Sequence, residues 1–189
     1  MITIRLATID DAAECLAIYT PYVEGTAISF EYAVPSIDDF RSRMDKTLTE
    51  YPYLVAVKEG KVLGYAYAGP FHTRAAFKHA AEVSIYIDRN HRGLGIGKRL
   101  YAALEQILQM QHVFTACACI ATTDLTDDPY LTGDSVRFHE AMDYHRVGEH
   151  RRCGFKFGRW YHVIWMEKEL GQRPENPEPF IPFFALDTK

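Results

Sequence analysis

One stretch of the chain concentrates residues that could bind an anion: Val83-Ser-Ile-Tyr-Ile-Asp-Arg-Asn-His-Arg-Gly-Leu-Gly-Ile-Gly-Lys-Arg-Leu-Tyr101. An alternating apolar run ends at Asp88, a short basic turn follows, and three alternate glycines lead into a helical pattern. Amide N–H groups at a helix start lack partners and carry partial positive charge. Glycines there let a phosphate approach the backbone closely. Arg89, His91, Arg92, Lys98 and Arg99 add local positive charge to a chain whose formal net charge is −4. The chemistry predicted is the binding of a diphosphate. A P-loop is excluded, because Gly97-Lys98 is followed by Arg99 and position 92 is Arg rather than Gly. A dinucleotide-binding turn is excluded as well, since Gly93-Leu-Gly95-Ile-Gly97 is followed by Lys98 where a glycine is required.

The elements that must position this loop follow from periodicity and turn signals. Ile2 to Ala7 alternates as a strand. Thr8 with Asp11 opens a helix to about Tyr22, and Ser36 with Asp39 opens another to about Leu48. Between them, Glu24 to Glu31 is a loop that carries Ile28 and Phe30, side chains a solvated loop has little use for, so it is expected to line something. Tyr53–Lys58 and Val62–Ala68 read as a hairpin about Glu59-Gly60-Lys61. A connection with His72, Arg74, Phe77 and His79 leads to a strand over Glu82–Asp88. Leu94 to Gln111 is a helix with one apolar stripe, through Ile96, Leu100, Ala103, Leu104, Ile107 and Leu108. A strand over Val113–Ala121, a polar stretch over Thr122–Gly133, a short helix over Asp134–Met142 and two last strands near 146–153 and 160–169 complete the order β-α-α-β-β-β-α-β-α-β-β.

Composition bounds the function. Hydrophobic residues make up 48% and charged residues 24%, the balance of an ordinary globular chain of 189 residues. The acidic net charge argues against a nucleic-acid or anionic-membrane partner. The sequence shows neither a membrane-length apolar run nor a signal peptide, and the expected location is cytoplasmic. Cys15, Cys117, Cys119 and Cys153 are expected to be reduced, buried thiols, and no metal-ligand spacing is present. The end, 172–189, holds four of the nine prolines and reads as an extended tail after a domain over 1–171, either packed on the body or used at a subunit contact.

Arg92-Gly-Leu-Gly95-Ile-Gly97 fits the Gln/Arg-x-x-Gly-x-Gly/Ala pattern of GNAT N-acetyltransferases, and its place between the fourth strand and a long helix strengthens the match. The chain resembles the phosphinothricin and methionine sulfoximine acetyltransferase branch. Thr26-Ala-Ile-Ser-Phe-Glu31, Tyr65-Ala-Tyr-Ala-Gly-Pro70, Arg74, Ala81-Glu-Val-Ser-Ile-Tyr86, Ser135-Val-Arg-Phe-His-Glu140 and Trp160-Tyr-His-Val-Ile-Trp165 carry the likeness, over residues 2 to about 170.

The resemblance implies an α/β GNAT fold: a mixed, mostly antiparallel twisted sheet of about seven strands with four helices, and a V-shaped splay between strands four and five. It implies acetyl-CoA as co-substrate, with backbone groups of Ile85, Tyr86 and Ile87 on the pantetheine arm. The loop of Arg92, Gly93, Leu94, Gly95, Ile96, Gly97, Lys98 and Arg99 would hold the diphosphate. Glu82 would be the general base, and His139 would protonate or steady the leaving thiolate. Phe30, Arg74 and Phe77 would form the acceptor site, Arg74 pairing with an amino-acid carboxylate. The acceptor expected is a small amino-acid-like amine, met by direct attack in a ternary complex. Peptide, polyamine or aminoglycoside acetylation and a non-catalytic acyl-CoA sensor are the alternatives. A homodimer is expected from the apolar surface of the last strands and the tail.

Three positions depart from the branch. Thr132 stands where Asn is common, Phe77 where the herbicide-detoxifying members carry Tyr, and Asp143 where a glycine is usual. The first two bear on the acceptor pocket and leave the CoA loop untouched.

Overall fold

A computed structural model describes residues 1–186. Seven strands form one sheet in the order β1-β2-β3-β4-β5-β7-β6: β1 Thr3–Leu6, β2 Tyr53–Lys58, β3 Lys61–Pro70, β4 Ala80–Ile87, β5 Thr115–Thr122, β6 His145–Lys156 and β7 Arg159–Glu169. Every neighbouring pair is antiparallel except β4 and β5. The helices are α1 Ala12–Gly25, α2 Ile37–Glu50, α3 Ile96–Met110 and α4 Asp134–Glu140. The fold class and element order expected from the sequence are those observed.

Strand alternation sends side chains to two faces, and each face has its own core. On one face α3 lays Leu100, Leu104 and Leu108 on Ala66, Val83 and Ala116. On the other, α1 and α2 bring Val23, Phe40 and Met44 against Tyr53, Val55 and Tyr65. The β2–β3 turn places Glu59 at φ 52° and Gly60 at φ 80°, the two left-handed residues of the hairpin turn that matches strand twist.

Element ends differ from the sequence reading by a few residues, and at two of them the physical reason is plain. The first helix runs a turn past Tyr22, to Gly25, through Pro21. Its end carbonyls are met from outside the helix, that of Tyr22 by the Thr26 hydroxyl at 2.7 Å. The third helix begins at Ile96 rather than Leu94, because Gly95 is left-handed at φ 72° and cannot belong to the helix. Asp143, where the family prefers glycine, holds φ 67° after α4, a conformation Asp tolerates better than most residues.

The tail turns back on its own chain. Phe180 packs on Tyr51 at 5.3 Å between ring centroids, the Ile181 amide donates to the Gln111 carbonyl at 3.1 Å, and the Gln111 side-chain amide donates to the Ile181 carbonyl at 2.9 Å. Residues 187–189 of the predicted tail lie outside the described residues. Among the described residues, no helix is long and apolar enough to cross a membrane.

Candidate active site

The parallel pairing of β4 with β5 covers only Ala80–Glu82 against Thr115–Cys117. Beyond Glu82 the two strands part, each continuing toward its C-terminal end. This is the splay. It leaves one edge of β4 from Val83 to Ile87 without a strand partner, while the other edge stays paired to β3. Unpaired strand amides of this kind are what a ligand amide can pair with.

The splay opens into a cleft of about 490 Å³. Ile85 and Ile87 form its floor. Arg92, Gly93, Gly95, Ile96, Gly97 and Lys98 form one wall. Gly93 and Gly95 are left-handed, at φ 78° and 72°, and a Cβ on either would meet nothing within 4 Å. The backbone conformation calls for glycine there, and the open space beside each leaves room for a ligand. Gly97 differs: it is helical, and a Cβ on it would lie 2.9 Å from the Phe138 ring. A diphosphate fits this cradle by charge, by helix start and by room.

Other residues predicted for the loop stand elsewhere. Leu94 is exposed and Arg99 donates to the Ile2 carbonyl at 2.7 Å; neither lines the cleft. The Tyr86 ring lies on the opposite face of the sheet, against Tyr19 and Tyr22, so only its backbone is on the cleft side. The opposite wall is α4, through Asp134, Ser135 and Phe138, with Tyr22 and Ile28 at one end. The family motif points to His139 in this helix, whereas the cleft is lined by Ser135 and Phe138. Their i, i+3 spacing puts them on one helical face, which was the available signal.

Glu82 sits where the strands part, on the face opposite Ala81 and Val83, which lie in the α3 core. It is half-buried. Burial pushes its carboxyl above the ordinary glutamate range, and positive charge on His72 acts in the opposite direction. His72 was not singled out from the sequence; it lies in a cluster with Phe71, Phe77 and Trp165. Arg74 and Phe77 are on the same connection, both exposed, and Arg74 makes no side-chain ion pair among the described residues. Phe30 is set apart from them, packed toward Tyr161 at 6.4 Å between centroids.

His139 is buried and both ring nitrogens are engaged. Nδ1 lies 2.7 Å from the Ser135 carbonyl, which can only accept, so Nδ1 carries the proton. Nε2 therefore accepts from the Tyr101 hydroxyl at 3.0 Å. Burial lowers the imidazole's pKa and keeps it neutral. It is not among the residues that line the cleft.

All four cysteines are free thiols. Cys15 and Cys117 are buried, whereas Cys119 and Cys153 are exposed, contrary to the expectation that all would be buried; Cys119 lies on β5 beyond the point where β4 parts from it, and Cys153 in the irregular part of β6. Among the described residues no group of three or more His, Cys, Asp or Glu is arranged to hold a metal.

A strand pair that parts over a glycine-rich helix start defines an acyl-CoA-binding transferase, and the comparisons agree. Residues 4–165 match the family described as Acetyltransferase (GNAT) domain. The chain belongs to this family and is an acetyl-CoA-dependent N-acetyltransferase. It is 33% identical over 181 residues to a phosphinothricin N-acetyltransferase of Streptomyces viridochromogenes, covering 96% of this chain and 94% of the relative. It is 27% identical over 171 residues to an L-methionine sulfoximine/L-methionine sulfone acetyltransferase of Salmonella typhimurium, covering 90% and 95%. The crystal structure of a phosphinothricin acetyltransferase from Sinorhizobium meliloti in complex with acetyl-CoA superposes with a TM-score of 0.83 at 30% identity, covering 96% of this chain and 98% of that one.

Proposed function

We propose that this chain acetylates the primary amine of a small amino-acid-like molecule of the phosphinothricin or methionine sulfoximine kind. The observation that carries the reading is Glu82, a half-buried carboxylate at the apex of the splay, beside a connection that holds an unpaired Arg74. The names of the two relatives supply the acceptor class.

Acetyl-CoA supplies the activated acetyl group as a thioester. Ile85, Ile87 and the 92–98 loop hold it, through backbone amides and the glycine cradle. Arg74 orients the acceptor by its carboxylate. Glu82, ionised, takes a proton from the substrate ammonium, directly or through one water, and the freed amine attacks the acetyl carbonyl. A backbone N–H of β4 receives the developing oxyanion. The new C–N bond forms, the nitrogen gives up its second proton to solvent as the intermediate collapses, the C–S bond breaks, and the thiolate departs to be protonated by solvent. His139 acts as a positioning residue: it ties the first and last turns of α4 together and to Tyr101, so that Ser135 and Phe138 face the cleft.

A homodimer accords with apolar side chains left on the β6–β7 hairpin, where Phe155 and Trp160 lie side by side, exposed, 5.0 Å apart. The tail no longer contributes to that argument, since it packs on its own chain. Four free thiols accord with a cytoplasmic location.

The test is CoA thiol release from acetyl-CoA across methionine sulfoximine, methionine sulfone, phosphinothricin, free amino acids, polyamines, aminoglycosides and short peptides. Turnover confined to amino-acid-like acceptors is expected. Turnover confined to peptides or polyamines would refute the acceptor class, and CoA binding with no turnover would refute catalysis.

A further inference from the structure

The end of β6 carries two residues whose surroundings no step above uses. Lys156 is 3% exposed, and its ammonium donates to the carbonyls of Val23 at 2.7 Å, Thr26 at 3.0 Å and Ser29 at 2.7 Å. An ammonium has three protons, and all three are used. Val23 is in the last turn of α1, where carbonyls lack helical partners and a cation is favoured. Thr26 and Ser29 are in the loop that follows. Two residues earlier on the same strand face stands Gly154. A Cβ at Gly154 would lie 2.2 Å from the Phe30 ring, a distance no packing tolerates. Phe30 therefore occupies the space that a side chain at 154 would fill.

We propose that Gly154 and Lys156 together are positioning residues that set the acceptor side of the active site, by locking the 26–31 segment in place. The proposal rests on the acetyltransferase reading above together with the acceptor role that the family resemblance implies for Phe30, here as a second edge of the site away from Arg74 and Phe77. The segment's other ties to the body lie elsewhere along it: the Thr26 hydroxyl donates to the Tyr22 carbonyl, the Ala27 amide to the Tyr130 carbonyl, Ser29 pairs with Tyr19 at 2.7 Å and Glu31 pairs with Arg43. Lys156 is the one side chain that gathers three carbonyls of α1 and this segment at a single atom. Lys156 holds the segment at both ends of its first turn, and its last contact is one residue before Phe30. Gly154 then fixes how deeply the Phe30 ring can seat. Neither residue touches the CoA cleft; of the segment, only Ile28 does. Their loss should therefore be read in acceptor binding far more than in acetyl-CoA binding.

Hydrogen exchange on the wild type and Lys156→Met, both saturated with CoA, reads the anchor directly. Amides of residues 27–31 should exchange about tenfold faster in the variant while those of α3 stay unchanged. Equal exchange in the segment overturns the proposal. In turnover, Lys156→Met and, separately, Gly154→Ala should each raise the acceptor KM about tenfold, with the acetyl-CoA Kd within about threefold and Lys156→Arg recovering most of the loss. Gly154→Ala keeps the test open if Lys156→Met does not fold. An unchanged acceptor KM, or an acetyl-CoA Kd that rises in step with it, overturns the specificity role. A wild type that turns over no amine would instead sink the acetyltransferase reading, and the anchor would stand or fall on exchange alone.

Discussion

Gly97→Ala separates two reasons for a glycine in one loop. The added methyl would sit 2.9 and 3.1 Å from two atoms of the Phe138 ring and 3.4 Å from Ile85. Carbon pairs rest at about 3.5–4.0 Å, so the ring must withdraw. Overpacking of this kind costs about 1–3 kcal/mol. Position 97 is helical, however, and replacing glycine by alanine inside a helix returns about 1 kcal/mol. The net destabilisation is therefore about 0–2 kcal/mol. At roughly 2–4 °C per kcal/mol for a chain of this size, the Tm should fall by no more than about 8 °C. Ligand binding has no such offset. Phe138 and Gly97 both line the cleft, so a displaced ring changes its width, and CoA affinity should fall about tenfold, or about 1.4 kcal/mol. Calorimetric titration with CoA and a thermal melt measure the two quantities. Phe138→Leu in the same molecule should recover part of both losses, because it removes the ring edge that clashes. Losses that add up independently in the double variant would refute the packing argument. Gly95→Ala is the contrast: nothing touches its methyl, and the left-handed backbone alone should cost about 1–2 kcal/mol in stability.

Glu82→Gln should lower kcat/KM at neutral pH by about a hundredfold or more, the range of a positioned general base. The wild-type rate should rise with pH through a pKa above that of an ordinary glutamate, and the variant should lack that limb. The same raised pKa means the folded state holds the proton more tightly. Its stabilising effect is full below the ordinary glutamate pKa and is lost as pH rises through the folded value, so Glu82→Gln should melt at or above the wild-type temperature at pH 7. Arg74→Ala should raise the KM for carboxylate-bearing acceptors and leave that for acetyl-CoA nearly unchanged; equal effects would rule out a carboxylate clamp. His139 has the opposite linkage: its lowered pKa makes the unfolded chain the better proton binder, so Tm should decline as pH falls below about 6.5, and decline less in His139→Gln. Tyr101→Phe strands the buried Nε2 acceptor and should cost about 1–3 kcal/mol in denaturant melts, with the acid limb of kcat/KM retained.

The elements were legible because their signals are local. The α3 stripe, the hairpin turn and the glycine loop each sit within a few residues of sequence, and the loop's neighbours in the chain are its neighbours in space. The second wall of the cleft was not legible in the same way. Ser135 and Phe138 face the loop only because α4 packs on α3, with Phe138 against Tyr101 and Gly97, and nothing in the sequence near them points to a ligand. His72 and Glu82 come together through the return of β4 along β3, and the three carbonyls around Lys156 lie more than a hundred residues from it in sequence. Leu94 and Arg99 show the opposite failure. They belong to the motif by position, yet Leu94 stands exposed before the helix begins and Arg99 turns to the Ile2 carbonyl.

Charge at the loop shows why an acidic chain can still bind a diphosphate. Asp88 takes His91 at 2.9 Å, and Asp134 takes Arg137 at 2.5 Å and lies 3.7 Å from Arg92. Arg89 and Lys98 form no ion pair among the described residues. The Arg92–Asp134 contact is long and both side chains are about half exposed, at 43% and 54%, so it contributes at most about 1 kcal/mol. A diphosphate that meets Arg92, Lys98 and the α3 amides at once outweighs that contact, and Asp134 keeps Arg137 when Arg92 turns away. The aspartate thus holds Arg92 near the cleft mouth without competing strongly for it. Asp134→Asn should leave CoA affinity within a few-fold of wild type at low salt. Because these charges are exposed, affinity in both proteins should weaken as ionic strength rises. A large gain in affinity on Asp134→Asn would mean that the carboxylate repels the ligand more than it positions the arginine, and would reverse the argument.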